Sequence, residues 1–274
     1  MKYQASIDLR QKNNSHTLAY DLVRQNTAKK NLRVLEVGCA SGYWGALLRA
    51  EGCFVVGVEP DEDAAGCARN VLDEVFVGGI DGFLEIYSGE MFDVICFVDV
   101  LEHTPKPSDV LSKCQRLLNS DGIIVCSIPN VAHLSVRAMV LAGKWEYSKT
   151  GLLDNSHIVF FTKNTIIDML TQSGLKILDM QATVMDAGAA SKLYGTYSPF
   201  FLRTIAALVA KDCCWQDFQY VVCVKKEGSA GVSENIRFYS VESYARAFFF
   251  KIEFIWKYFG GVFFELCKKM LKRK

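Results

Sequence analysis

The sequence predicts an α/β protein: a parallel sheet with helices on both of its faces. Three observations carry that prediction. Short runs dominated by apolar residues recur at 32–37, 53–58, 92–98 and 122–128, without the alternation of a half-solvated strand. Segments with helical spacing or capping signals separate them. A glycine turn, Gly38-Cys39-Ala40-Ser41-Gly42, follows the first run directly, so main chain can approach a nucleotide-like ligand at a strand's carboxyl end.

The elements follow in order. Residues 1–31 form a polar lead-in, where Ser15 or Thr17 caps a helix over about 18–28 with Leu18, Leu22 and Val23 facing the core. After the first strand and its turn, a helix runs to about Glu51 and stops at Gly52. The second strand ends at Glu59, 17 residues after Gly42. Asp61, Glu62 and Asp63 then place acids in a helix's first turn. A short strand covers 75–77, the run at 92–98 is closed by Asp99, a helix covers 109–118, and a fifth strand covers 122–128. In such sheets ligands sit beyond the carboxyl ends of the strands, where Glu36, Glu59, Asp99 and Pro129-Asn130 all fall.

From 130 to 162 the alternation breaks into a helix at about 133–142 and a loop carrying Trp145, Tyr147, Asp154 and His157. A helix at 164–173, ending at Gly174, and strands at 175–180 and 218–224 complete the domain. The span 183–217 gives no clear pattern beyond an apolar stretch at 200–210. The expected organisation is a lead-in at 1–31, a domain at 32–226 with insertions at 130–162 and 183–217, and a linker and tail at 227–274. On a helical wheel of 246–272, Phe249, Ile252, Trp256, Phe259, Phe263 and Leu266 line one face, and Lys268-Lys269 opens a basic end. That amphipathic helix suits packing on the domain, dimerisation, or an anionic membrane interface.

Composition narrows the class. A formal charge of +1 provides no global field for nucleic acid, and no nucleic-acid partner is expected. Ten cysteines without a C-x-x-C pair, several inside apolar runs (Cys96, Cys126, Cys223), read as reduced core residues of a cytoplasmic protein. The first residues lack the apolar core of a signal peptide, and no run of 18 uncharged apolar residues predicts a spanning helix.

A glycine turn and a strand-end acid also fit NAD enzymes, but the G-x-G-x-x-G spacing is not met. The run Glu36-Val37-Gly38-Cys39-Ala40-Ser41-Gly42 instead resembles motif I, E/D-x-G-x-G/A-x-G, of class I S-adenosylmethionine (SAM) methyltransferases. Further matching stretches are Asn14-Ser15-His16-Thr17 and Phe92-Asp93-Val94 through Asp99-Val100-Leu101-Glu102-His103. Ser127-Ile128-Pro129-Asn130-Val131-Ala132-His133 and Leu153-Asp154-x-x-His157-x-x-Phe160-Phe161-Thr162 extend the match. Residues 14–173 look like the methyltransferases encoded with, or fused to, bacterial glycosyltransferases, and are more distantly similar to the ubiquinone-pathway O-methyltransferases. The resemblance implies a Rossmann-like sheet of seven strands with the last antiparallel. It implies SAM as cofactor, held by Glu36, Gly38, Cys39, Ala40 and Gly42 of the turn, by Glu59 and Pro60, and by Asp99 and Val100. The family's acid after the third strand, G-D-[ILV]-E, is absent; Gly78-Gly79-Ile80-Asp81 stands there, with Asp81 or backbone as the substitute.

Glu102, His103, Asn130 and Asp154 are expected on the substrate side. All four histidines fall in segments placed on the ligand side of the sheet, and methyl transfer to a hydroxyl needs a proton acceptor. His157 ranks first, with Asp154 three residues before it as a carboxylate to orient it; His133 and then His16 follow. Glu102 and His103 are adjacent and expected to diverge as on a helix, so no metal site is expected. The expected function is O-methylation of a sugar hydroxyl in a surface polysaccharide or its lipid-linked precursor, at the inner face of the cytoplasmic membrane and beside a glycosyltransferase. The alternatives are a small phenolic or amino acceptor, and a non-enzymatic glycosyltransferase scaffold with a vestigial SAM pocket.

Overall fold

The computed structural model describes residues 7–186, 189–190 and 214–228. The apolar stretch at 200–210 and the helix expected at 246–272 lie outside these residues. Seven strands form one sheet: β1 (Arg33–Val37), β2 (Phe54–Glu59), β3 (Glu74–Val77), β4 (Phe92–Val98), β5 (Leu118–Pro129), β6 (Leu175–Val184) and β7 (Asp217–Lys226), in the order β3-β2-β1-β4-β5-β7-β6. β3, β2, β1, β4 and β5 pair in parallel, while β7 runs antiparallel to β5 from Ile123↔Lys225 to Pro129↔Gln219. The strand order reverses between β1 and β4, so a crevice opens beyond their carboxyl ends. The glycine turn after β1 and Asp99 after β4 stand at that point.

The apolar strands read without alternation because both faces of the sheet are covered. Leu35, Ile95, Phe97, Ile124 and Cys126 belong to one buried cluster. Val34, Val94, Cys96, Ile123 and Val125 belong to the other. Cys96, Cys126 and Cys223 are buried free thiols, and burial pushes the Cys126 thiol up to about 12, so these side chains act as small core residues.

The helices differ from expectation in informative ways. α1 (Ser15–Asn26) starts earlier, because Asn14 is the cap and accepts the backbone N–H groups of His16 and Thr17. Ser15 and Thr17 are buried within the helix instead. α2 (Gly45–Arg49) is short, and α3 (Glu62–Ala68) is capped by Asp61, which accepts the Ala64 N–H at 2.8 Å. α4 (Ile80–Ile86) was not foreseen. α5 (Pro107–Cys114) and a 3-10 turn precede β5, which begins at Leu118 rather than 122. α6 (Leu134–Leu141) and α7 (Lys163–Gln172) follow, the latter closed by a reciprocal Thr162–Thr165 cap.

The described residues fall into two compact units. One holds residues 7–132, 146–184 and 218–228 and contains the sheet; the other holds 133–145, 185–186, 189–190 and 214–217. Among the described residues no helix is long and apolar enough to cross a membrane.

Candidate functional site

The glycine turn is held by backbone and by two buried acids. The Gly38 N–H donates to the Val58 carbonyl at 2.8 Å. Gly42 has φ +77°, and a Cβ there would come within 2.8 Å of the Val71 side chain, so the turn admits no larger residue at this position. Glu59, at the end of β2, accepts the Ala40 N–H at 2.8 Å and the Asp61 N–H at 2.9 Å, one on each oxygen. Each oxygen keeps a lone pair. Pro60, between them, is exposed. Cys39 is buried against the turn, and burial raises its thiol far above its ordinary value, which leaves it inert.

Glu36 is the more unusual acid. It is buried at the end of β1, its Oε2 has no hydrogen-bond partner, and a Cβ at Gly45 would collide with that oxygen. Burial pushes its carboxyl up to about 8, against the lowering effect of the Gly45 N–H. An orphaned buried carboxylate oxygen beside a close-packed glycine turn fits a cationic ligand with a nucleoside body.

Asp99 sits immediately after β4 with φ +56°, a left-handed conformation that Asp tolerates better than most residues. Its N–H donates to the Ser127 Oγ at 2.9 Å, and the Ser127 hydroxyl donates back to its Oδ1. Gln219 Nε2 donates to the same oxygen at 3.0 Å. The next residue, Val100, packs against Gly38, where a Cβ would come within 2.7 Å of its side chain. Asp81 falls elsewhere. It lies in the first turn of α4, exposed, and pairs with Lys113 of α5 at 2.6 Å. A helix starting directly after β3 carries it to that surface pair.

A second group assembles after β4. Leu101–His103 is a 3-10 turn, and the chain at 152–159 lies beside it. The Glu102 carbonyl accepts the N–H groups of Ile158 and Val159 at 2.8 and 3.0 Å. His103 Nδ1–H donates to the Ser156 carbonyl at 3.0 Å, and His157 Nδ1–H to the Leu152 carbonyl at 3.2 Å. Both imidazoles thereby present Nε2 as the lone-pair nitrogen. One ligand atom from each of Glu102, His103 and His157 lies within 4.8 Å of the others. The two rings meet edge to face at 4.9 Å. Glu102 is buried, its Oε2 lacks a partner, and burial followed by the charge of Asp99 raises its carboxyl well above the ordinary range. Burial lowers His157.

Two expectations are corrected here. Glu102 and His103 do not diverge from a common site: the turn is not α-helical, and His157 arrives from another segment to complete a cluster able to hold a cation. Asp154 does not orient His157. Its carboxylate accepts the Ser156 N–H and hydroxyl at 2.8 and 2.5 Å, and the Leu152 carbonyl takes the role.

His133 is also removed from the candidate bases. It is fully buried as the cap of α6. Its Nδ1 accepts from the Ser135 hydroxyl at 2.8 Å and N–H at 3.2 Å, while Nε2–H donates to the Met185 carbonyl at 3.0 Å. Burial lowers it to about 4, and both nitrogens are engaged. His16 Nε2 meets the Tyr43 hydroxyl at 2.9 Å, and its carbonyl accepts the Trp44 indole N–H at 3.0 Å. It links the lead-in to the glycine turn. Asn130 is buried and accepts the Ala132 N–H at 3.1 Å. Sequence reasoning missed Ser127 and Gln219. The signal for Ser127 was present: a single hydroxyl inside a buried apolar strand needs a partner.

A family model described as a methyltransferase domain matches residues 10–180. A ubiquinone biosynthesis O-methyltransferase of Dinoroseobacter shibae is 29% identical over 57% of this chain and 65% of its own length. One of Aromatoleum aromaticum is 24% identical over 60% and 72%. The chain thus spans just under two thirds of the first of these relatives. Among solved structures, a SAM-dependent methyltransferase of Archaeoglobus fulgidus superposes with a TM-score of 0.53 at 20% identity, over 78% of this chain and 95% of that one. Magnesium protoporphyrin IX methyltransferase of Synechocystis, with bound S-adenosylhomocysteine, gives 0.52 at 14% identity, over 82% and 90%. These two share the fold.

Proposed function

We propose, from the premise that the chain belongs to the methyltransferase domain family and is a class I SAM-dependent methyltransferase, that it methylates a hydroxyl oxygen and that His157 takes the hydroxyl's proton. The observation that carries this reading is the convergence of Glu102, His103 and His157. Bound SAM supplies an electrophilic methyl group on a sulfonium. Gly38, Cys39, Ala40 and Gly42 provide the backbone bed for it, with Pro60 at its edge. The spare lone pairs of Glu59 receive ribose hydroxyls. Asp99 faces the cationic amino group, with Val100 buttressing the turn at Gly38, and a bound cation would favour ionisation of the buried Glu36 carboxyl. His157 is neutral at pH 7 because burial lowers it, and its Nδ1–H is tied, so Nε2 accepts the proton.

The same three residues favour a second reading. Imidazole ligands of metals are commonly oriented by an Nδ1–H bond to a carbonyl, as both are here, and the buried Glu102 oxygen lacks a partner. A divalent cation held there would lower the acceptor hydroxyl's pKa. The readings separate under EDTA: a base mechanism keeps its rate, whereas a cation mechanism loses it and regains it with added Mg²⁺ or Zn²⁺.

The acceptor is proposed to carry an apolar ring face. Tyr147 and Ile158 are exposed, and the Tyr147 and Phe160 rings lie 6.2 Å apart. A phenolic ring fits this surface, and the names of the curated relatives support it. A sugar hydroxyl in a polysaccharide or lipid-linked precursor is the other candidate, with the C–H face of the pyranose on the aromatic rings. Labelled SAM incubated with a panel of catechols and with a cell-envelope glycan extract decides: label in the glycan alone would overturn the phenolic choice, and label in neither would reject both acceptors. Membrane contact through the 227–274 tail, beside a glycosyltransferase, belongs to the sugar reading. It fails if the full chain and a truncation at Gly231 float equally on anionic liposomes.

A further inference from the structure

Asp99 is held in a way that its expected partners do not explain. Three donor–acceptor contacts converge on it from two other strands. Ser127 of β5 is completely buried, accepts the Asp99 N–H and donates its own proton to Oδ1. Gln219 of β7 reaches the same Oδ1 with its amide N–H at 3.0 Å. Oδ1 is therefore saturated by two donors, and no donor among the described residues reaches Oδ2. The residue also sits at φ +56°, a conformation that a non-glycine residue keeps only when its surroundings impose it. Its charge acts on both Glu102 and His157, which places the carboxylate near the cluster that those two form with His103.

We infer that Ser127 and Gln219 are positioning residues that lock the Asp99 carboxylate in one orientation, so that Oδ2 is presented to the amino group of the cofactor's methionine part. The inference rests on the SAM-site reading above. A free aspartate on a strand-end turn samples several χ1 and χ2 settings and gives up that freedom when it pairs with an ammonium. Two fixed donors on one oxygen remove the freedom in advance. β7, the antiparallel strand, thereby acts on the cofactor site through a side chain near its start, while its backbone pairs with β5.

The test compares two nucleosides that differ only in the amino-acid part. S-adenosylhomocysteine carries the amino group; 5′-methylthioadenosine has the same nucleoside without it. Gln219→Leu keeps the volume and removes the donor. By calorimetry it weakens S-adenosylhomocysteine binding by about tenfold and changes methylthioadenosine binding by less than about twofold. Asp99→Asn tolerates the same backbone conformation without the charge, and in that background Gln219→Leu adds nothing further. Ser127→Ala repeats the pattern provided that its melting transition stays cooperative; if it does not fold, the Gln219 pair still decides. Equal weakening of both nucleosides, an additive double variant, or unchanged S-adenosylhomocysteine affinity in Gln219→Leu would overturn the inference. Failure of the unaltered chain to bind either nucleoside would instead overturn the SAM-site reading beneath it.

Discussion

The two sides of the site are built by different means. The nucleoside end of the cofactor side is local in sequence: the glycine turn after β1 and the acid that ends β2, which accepts the turn's Ala40 N–H and the Asp61 N–H just beyond its own strand. The acceptor side is assembled from a 3-10 turn at Leu101–His103 and a segment some fifty residues later, joined through the Glu102 carbonyl and the His103-to-Ser156 bond, with His157 oriented by the Leu152 carbonyl of its own segment. The first uses backbone geometry that few residue types satisfy. The second uses side chains that a loop brings together, a construction that leaves room for acceptors to vary while the cofactor stays the same.

If the contrast holds, substitutions in the glycine turn act through backbone and carry the largest cost. Gly42→Val places a β-branched residue at φ +77° and drives it into Val71. SAM affinity should fall by at least about 10²-fold in a protein whose circular dichroism is otherwise native. Near-normal affinity would mean that the turn does not form the cofactor bed. Glu59→Ala removes an acceptor but leaves the turn's residues in place, so a smaller loss is expected, about 1.5 to 3 kcal/mol of SAM binding. An isotherm matching the unaltered chain would take the ribose away from Glu59.

The smallest effect separates a structural histidine from a chemical one. His133 is lowered to about 4 in the fold and titrates near 6.5 when unfolded. Above about pH 6.5 both states are neutral there and nothing is lost. As pH falls toward 4 the unfolded chain binds a proton that the folded one refuses, and stability drops, by about 1 kcal/mol at pH 5.5. His133→Gln should flatten that part of the stability profile. An unaltered slope would show that His133 is not the group being held neutral.

The same contrast explains what was legible in the sequence. The parallel sheet was readable because both-face burial leaves unbroken apolar runs such as Val94–Val98, and the glycine turn because its residue types are so restricted. The strand at 218–224 was readable, and only its antiparallel direction came through the family resemblance; its buried run Tyr220–Val224 looks like those of the parallel strands. α4 was missed because Gly78-Gly79 reads as a loop and the helix that follows is only seven residues long. The histidine cluster was half legible. His157 could be ranked by its neighbours, but Glu102 and His103 were judged by α-helical angles that a 3-10 turn does not obey. His133 was misjudged because the carbonyl that engages it, Met185, is some fifty residues away.

The central claim is that cofactor binding and proton removal reside in these two separate constructions. The most direct measurement is a paired one on His157→Ala: SAM affinity by calorimetry and methyl transfer to the best acceptor from the panel, on the same preparation. The account predicts unchanged affinity and turnover lowered by roughly 10²-fold. An unchanged rate, or a loss of affinity in step with the loss of rate, would contradict it.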